Sequence, residues 1–273
     1  MATANGIAAR IKPASDNKSG ICLLVYGRTK TGKTRLFSTF PTPSLLVGCA
    51  GYGTEEGTLS IRHVKGVDFV DLQNTEEIEE ICDIVVQRDY KSVCLDTAGG
   101  YQERVVNEYL NRDPTLRKDW RNVPKTEWGT INDRTICGLH KLFDLGKKRG
   151  KHVVVIAHER NFTENSDSEL VIPFVGAALT PGVTNWLNAS ADYIGQTLIR
   201  KEVVRKKVET IKGSPPQEIV EATGKKVYCL RVGPSETYQT GFRWEGVGQD
   251  LPEFIVNPTY DKITALIRGK VIA

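Results

Sequence analysis

A chain of 273 residues, 40% hydrophobic and 26% charged, has the length for one large α/β core with elaborations, on a scale of roughly 100–200 residues per domain. Its 37 basic and 33 acidic side chains leave a net charge of only +4, which excludes a polycationic binder and confines any nucleic-acid affinity to local patches. The longest apolar runs, ICLLVY and HVVVIA, fall far short of the roughly 20 residues of a membrane span, so no membrane partner is expected.

The first 20 residues are small, polar and mildly basic and lack the apolar segment of a secretory signal. They read as a flexible arm, or alternatively as a docking segment for a neighbouring subunit. From residue 21 onward a single domain is expected. Ile21 to Tyr26 is an apolar, β-branched run that gives way to Gly27-Arg28-Thr29-Lys30-Thr31-Gly32-Lys33-Thr34 and then to a helix opening with Arg35-Leu36-Phe37. This is strand, phosphate loop, helix. In G-x-x-x-x-G-K-[ST] the glycines let consecutive N–H groups converge on phosphate oxygens, Lys33 reaches the β- and γ-phosphates, and Thr34 places a hydroxyl on Mg²⁺. ATP and Mg²⁺ are the expected ligands.

Ser44 to Gly48 is a second short strand that delivers a glycine-rich loop with two carboxylates, Glu55 and Glu56. Asp68 to Leu72 is an edge-strand candidate, and Thr75 to Arg88 a helix with Thr75 as a plausible cap, acids in its first turn and one apolar face. Lys91 to Asp96 is a strand ending in an aspartate, placed to hold Mg²⁺ beside Thr34 as a Walker B acid. A helix follows over 101–110. The polar segment 111–126 then interleaves Arg112, Arg117, Lys118, Arg121 and Lys125 with Trp120, a mixture that suits single-stranded nucleic acid because cations meet phosphates and bases stack on the ring. It is equally a solvated loop whose tryptophan plugs the core.

Thr130 to Lys148 is helical, with basic residues at its end, where the dipole favours them, and Gly150 as its stop. His152 to Ala157 is a buried strand that delivers His158, either a γ-phosphate sensor or an ordinary loop-facing side chain. A polar stretch, 161–169, precedes a short helix near Trp186. Strands are expected at 191–199, 202–212, 226–232 and 238–244, the last three antiparallel, and a closing helix at 258–268. The basic run Arg200, Lys201, Arg205, Lys206, Lys207 reads by default as a solvated face. Six scattered cysteines without a C-x-x-C pair, and histidines without ligand spacing, point to a reduced cytoplasmic protein without structural zinc.

Alternating strands and helices up to residue 199 argue for a mainly parallel central sheet flanked by helices, with an antiparallel β-hairpin extension at the C-terminal edge. In AAA+ enzymes a glutamate follows the Walker B aspartate; here that position is Thr97. The order of GRTKTGKT, TEEG, SVCLDT, VVVIAHE, GAALTPGVTNWLNASADYI and VGPSETYQTGFRW resembles the RecA-like P-loop ATPases of bacteriophages, including minimal RecA-core proteins of single-strand annealing and recombination. The likeness covers nearly all of the chain after Gly20. It implies that Glu55, or Glu56, aligns the attacking water, and that Lys33, Thr34 and Asp96 hold ATP and Mg²⁺. His158 would then stand at the post-strand polar position. It also implies assembly on single-stranded DNA as a ring or filament, a replication or single-strand-binding partner, and a cation from the next subunit, for which Arg243 and the 205–207 run are candidates. A hexameric motor of the DnaB kind, a nucleotide-gated binding switch and a regulatory ATPase that never touches DNA remain alternatives.

Overall fold

The structure, a computed structural model, describes residues 13, 19–49, 56–111, 123–162, 174–208, 217–246 and 250–270, and of residues 56, 57, 203–208 and 217–222 the backbone alone. The expected arm over 1–20, apart from residues 13, 19 and 20, therefore lies outside the described residues.

The chain begins with β1 (Cys22–Gly27), α1 (Lys33–Phe37), β2 (Ser44–Gly48), α2 (Glu56–Leu59), β3 (Val67–Asp71), α3 (Glu77–Gln87), β4 (Ser92–Asp96) and α4 (Ala98–Tyr109). It continues through α5 (Trp128–Arg149), β5 (His152–Phe162), β6 (Phe174–Ala177), α6 (Pro181–Ser190), β7 (Tyr193–Val208), β8 (Gln217–Arg231), β9 (Gly241–Phe242), β10 (Phe254–Val256) and α7 (Tyr260–Ile267). The sheet runs in the order β10-β8-β7-β1-β5-β4-β2-β3, with β6 on β5 and β9 on β7. Every pairing from β7 to β3 along this path is parallel, whereas β8, β10, β6 and β9 are antiparallel additions. The mixed, mostly parallel α/β sheet of a P-loop NTPase is thus observed.

Strand β1 is buried throughout, and its period-2 alternation divides the core. Cys22, Leu24 and Tyr26 join a cluster with side chains of α3, α4, α5 and α6, whereas Leu23 and Val25 join one with α1, α7 and the end of β8. Burying each such aliphatic side chain contributes about 1.5–3 kcal/mol. The sheet is therefore held from both faces, as a parallel sheet requires. Helix α5 ends as its sequence indicates: Lys147, Lys148 and Arg149 fill its last turn, and Gly150 caps it at φ 66°.

Several boundaries differ from expectation. The strands expected at 191–199 and 202–212 are one strand, β7, with a register irregularity between Lys201 and Val203; pairing with β8 carries the ladder across the charged stretch that sequence alternation had split. The strand at 152–157 continues to Phe162 because β6 pairs with its end, Phe162 opposite Phe174. Helix α3 is capped not by Thr75 but by Asn74, whose Oδ1 accepts the N–H groups of Glu76 and Glu77. Thr75 instead donates both its N–H and its hydroxyl to Glu108 of α4. Helix α4 starts three residues earlier than expected because the Thr97 hydroxyl accepts the Gly100 N–H as its cap.

Candidate nucleotide site

The phosphate loop is shaped by close approach on one side and a left-handed turn on the other. A Cβ on Gly27 would sit 2.4 Å from Thr197 Oγ1 and 2.5 Å from Thr197 O, so only glycine lets β1 pass β7 here. Gly32 has φ 90° at the N-terminus of α1, a conformation side chains rarely adopt. Thr31 locks the loop between them, donating to Arg28 O at 2.7 Å and sharing a 2.7 Å hydrogen bond with Thr197 Oγ1. Arg28 extends outward to Glu159 at 2.8 Å, and Gln196 donates to the other oxygen of that carboxylate at 3.0 Å. The loop is thereby tied to β5 and β7, its two neighbours in the sheet.

Lys33, 7% exposed, is turned back onto its own loop, its Nζ donating to Gly27 O at 3.0 Å and Arg28 O at 2.7 Å. Its ammonium thus lies over the space the loop encloses. Thr34 Oγ1 donates to Asp96 Oδ2 at 2.7 Å across 62 residues of sequence. Asp96 is 5% exposed. Burial pushes its carboxyl upward, while the Thr34 hydrogen bond and the Lys33 charge pull the other way. A desolvated carboxylate beside a hydroxyl is an oxygen-only donor set of the kind a hard cation takes. Thr34 and Asp96 therefore fit Mg²⁺, which when bound would neutralise phosphate charge next to Lys33.

These groups open into a cavity of about 740 Å³, ample for a nucleoside triphosphate. Thr29, Lys30, Gly32, Lys33, Thr34 and Arg35 form its floor, and Asp96, Thr97 and His158 one wall. His158 is thus brought to the site, where burial first and the Lys33 charge second depress its pKa and keep its imidazole neutral at physiological pH.

The rest of the lining was not read from the sequence. It consists of Ser38, of Ser60 and His63 beyond α2, and of Tyr228 on β8. The Tyr228 ring would touch a Cβ on Gly32 at 3.2 Å, and the Arg35 guanidinium stands 6.0 Å from its centre. No local motif marks Tyr228, since only the antiparallel return of β8 alongside β7 carries it to the loop.

Other candidates are not gathered here. Glu55 lies outside the described residues; Glu56 opens α2, with only its backbone described. Arg243 follows β9, which pairs with the first residues of β7, at the opposite end of the strands from the phosphate loop. There it pairs with Asp192 at 3.0 Å and borders a separate cavity of about 340 Å³ with His152 and Tyr260. Arg112, Arg117, Lys118, Trp120 and Arg121 lie outside the described residues. Lys125 is exposed in a 3₁₀ turn, 125–127, just before α5. Trp128, the next aromatic, packs half-buried against the core. Among the described residues no helix is long and apolar enough to cross a membrane.

A family model described as an AAA domain matches residues 19–242, a span that begins just before β1 and ends with β9. No curated protein sequence matches the chain. The family match covers most of the chain and contains every wall of the cavity, and it agrees with the phosphate loop, the Thr34–Asp96 pair and the parallel sheet: the chain belongs to the AAA-domain family of P-loop ATPases.

Proposed function

We propose that the chain is a RecA-like ATPase that works on single-stranded DNA in recombination, annealing or replication. The observation that carries the reading is the cavity wall built by the segment after β2: Ser60 and His63 stand in the same cavity as Lys33. The described chain that follows Glu56 thus contributes to the phosphate site through these two residues. A carboxylate from this segment, rather than one directly after Asp96, would orient the attacking water. The residue after Asp96 is Thr97, whose hydroxyl is used as a helix cap. The placement of β5 between β1 and β4 supports the same reading, because it brings His158 into the cavity from the strand between β1, which leads into the loop before Lys33, and β4, which ends in Asp96.

In this scheme Lys33 exchanges its two loop carbonyls for phosphate oxygens, and Thr34 and Asp96 hold Mg²⁺. The neutral His158 imidazole can accept or donate one hydrogen bond near the terminal phosphate. The charge that develops on the transferring group would be completed by a cation from the next subunit, an effect of roughly 10³-fold or more in rate.

ATP turnover of the purified chain should rise with single-stranded DNA, and Lys33→Ala should lower it by on the order of 10²-fold or more. Turnover indifferent to DNA, with no DNA retained in ATP and Mg²⁺, would sink the DNA-directed reading while leaving the P-loop ATPase in place. The Arg28–Glu159 contact, which ties the loop to the β5–β6 hairpin, favours one second reading: a nucleotide-gated binding switch with little turnover. Weak hydrolysis insensitive to Glu55→Gln and Glu56→Gln, with DNA binding that still follows nucleotide, would favour the switch.

A further inference from the structure

Apart from Tyr228, which lines the cavity, the outer part of the β7–β8 ribbon is a charged surface that the nucleotide site does not use. The last rung β7 shares with β1 is Thr197 opposite Gly27, and β10 covers β8 only from Cys229 to Arg231. From Leu198 to Val208, β7 therefore pairs with β8 alone among the described residues. At about 3.3 Å per residue this is an arm some 35 Å long. Because β7 is parallel to β1, the arm leaves the sheet at the end that carries the phosphate loop.

On this arm Lys201 stands directly opposite Lys226. Like charges facing each other across a rung destabilise a ribbon, and both side chains are exposed. The cations beside them have partners: Lys225 lies 3.6 Å from Glu202, and the Arg200 guanidinium lies 4.3 Å from the centre of the Phe254 ring. No described carboxylate pairs with Lys201 or Lys226. Further along, the sequence adds Arg205, Lys206 and Lys207 on β7 and Glu218 and Glu221 on β8, with Glu218 in register with Lys207, so that over 198–208 and 217–229 the arm carries seven cations and three acids. An excess of positive charge strung along a narrow two-stranded ribbon complements a polyanion of regular charge spacing, and the ribbon has a shape that nucleic-acid grooves admit.

We propose that this arm binds the phosphate backbone of a nucleic acid, as a contact separate from residues 112–125. The proposal rests on the DNA-directed reading above and names a second surface for it. The test is fluorescence anisotropy of the full chain with a labelled single-stranded oligonucleotide and with a duplex of equal length, across a salt series. Wild type is compared with Lys201→Ala/Lys226→Ala, Lys201→Arg/Lys226→Arg and Arg117→Ala/Lys118→Ala/Arg121→Ala. The double alanine variant should bind at least one of the two DNAs about tenfold more weakly near 0.1 M salt, with the slope of log affinity on log salt reduced by about 1 to 2. The arginine pair should retain binding, and ATP affinity should stay at the wild-type level in both, as a check that the ribbon is folded. Which DNA responds shows whether the arm prefers strand or duplex. Wild-type affinity and slope in the double alanine variant, with the loss confined to the 117–121 variant, would overturn the arm and leave the DNA reading standing. No DNA binding by wild type would overturn both. Unaltered DNA binding with lost self-association in sedimentation would overturn the proposal in favour of a subunit contact.

Discussion

A single imidazole shows how a buried side chain ties stability to pH. His152 opens β5 with its Nδ1 accepting the Ile21 N–H at 3.2 Å, which leaves Nε2 to face the Tyr260 hydroxyl at 3.1 Å. Protonation at Nδ1 would destroy the first contact, and burial lowers the His152 pKa below its ordinary value of 6.5. The unfolded chain therefore takes up this proton before the folded one does. Stability from this site is complete above about pH 6.5 and is lost as pH falls from there toward the folded value. In thermal unfolding between pH 5 and 7, His152→Gln should flatten the acid limb, since glutamine can accept from Ile21 without titrating. His158 is depressed in the same sense, so part of the slope should survive. An acid limb identical to wild type would show that His152 titrates alike in both states. At this scale the sequence was legible wherever chemistry is local. Lys33, Thr34 and Asp96 were named from motif spacing, and the Thr34–Asp96 hydrogen bond joins them. Tyr228, His63 and Glu159 were not named, because each reaches the phosphate loop through sheet order rather than through neighbours in the chain.

Elements repeat the lesson with different physics. The hydrophobic periodicity of β1, β2, β4 and α5 located them to within a few residues, because each buries one consistent pattern. The long ribbon was misread as separate strands because Arg200, Lys201 and residues 223–226 lie exposed where it leaves the sheet, so no alternation guides the eye into the charged run. Close packing between helices is also invisible in sequence until a partner is known. Gly138 of α5 faces Tyr101 of α4, and a Cβ there would lie 1.9 Å from the Tyr101 Oη. Tyr101 is 2% exposed and has little room to yield. Gly138→Ala should therefore cost about 1–3 kcal/mol despite the better helix propensity of alanine, because overpacking forces the helices apart. Chemical denaturation measures this directly. Tyr101→Phe in the same chain should recover part of the loss by removing the nearest atom. A Gly138→Ala chain as stable as wild type would mean that α4 and α5 slide without cost.

For the whole molecule, the position of Arg243 turns a question of chemistry into one of assembly. Within one chain the strands separate it from the phosphate loop: its neighbour Phe242 lies opposite Tyr193, beside the start of β1, whereas Gly27 ends that strand. No side-chain rotation spans that length, so Arg243 can complete an ATPase site only in another copy. Its pairing with Asp192 does not hold it inside, since the guanidinium is 72% exposed. Subunit mixing tests the idea. Lys33→Ala removes the phosphate contact but leaves the Arg243 of that subunit available to a neighbour; Arg243→Ala does the reverse. Each variant alone should be nearly inactive in the presence of single-stranded DNA. An equal mixture should regain about a quarter of wild-type turnover, because in a head-to-tail assembly half the subunits keep Lys33 and half of those adjoin an intact Arg243. Arg243→Ala with full turnover would remove this arginine from the reaction and leave the basic run of the β7–β8 arm as the remaining source of a cation from the neighbour. Two inactive variants that fail to complement would instead make Arg243 a structural partner of Asp192, needed within its own chain. Recovery in the mixture requires the strand-start end of one subunit to meet the phosphate-loop end of the next, a contact that repeats along a filament or closes into a ring.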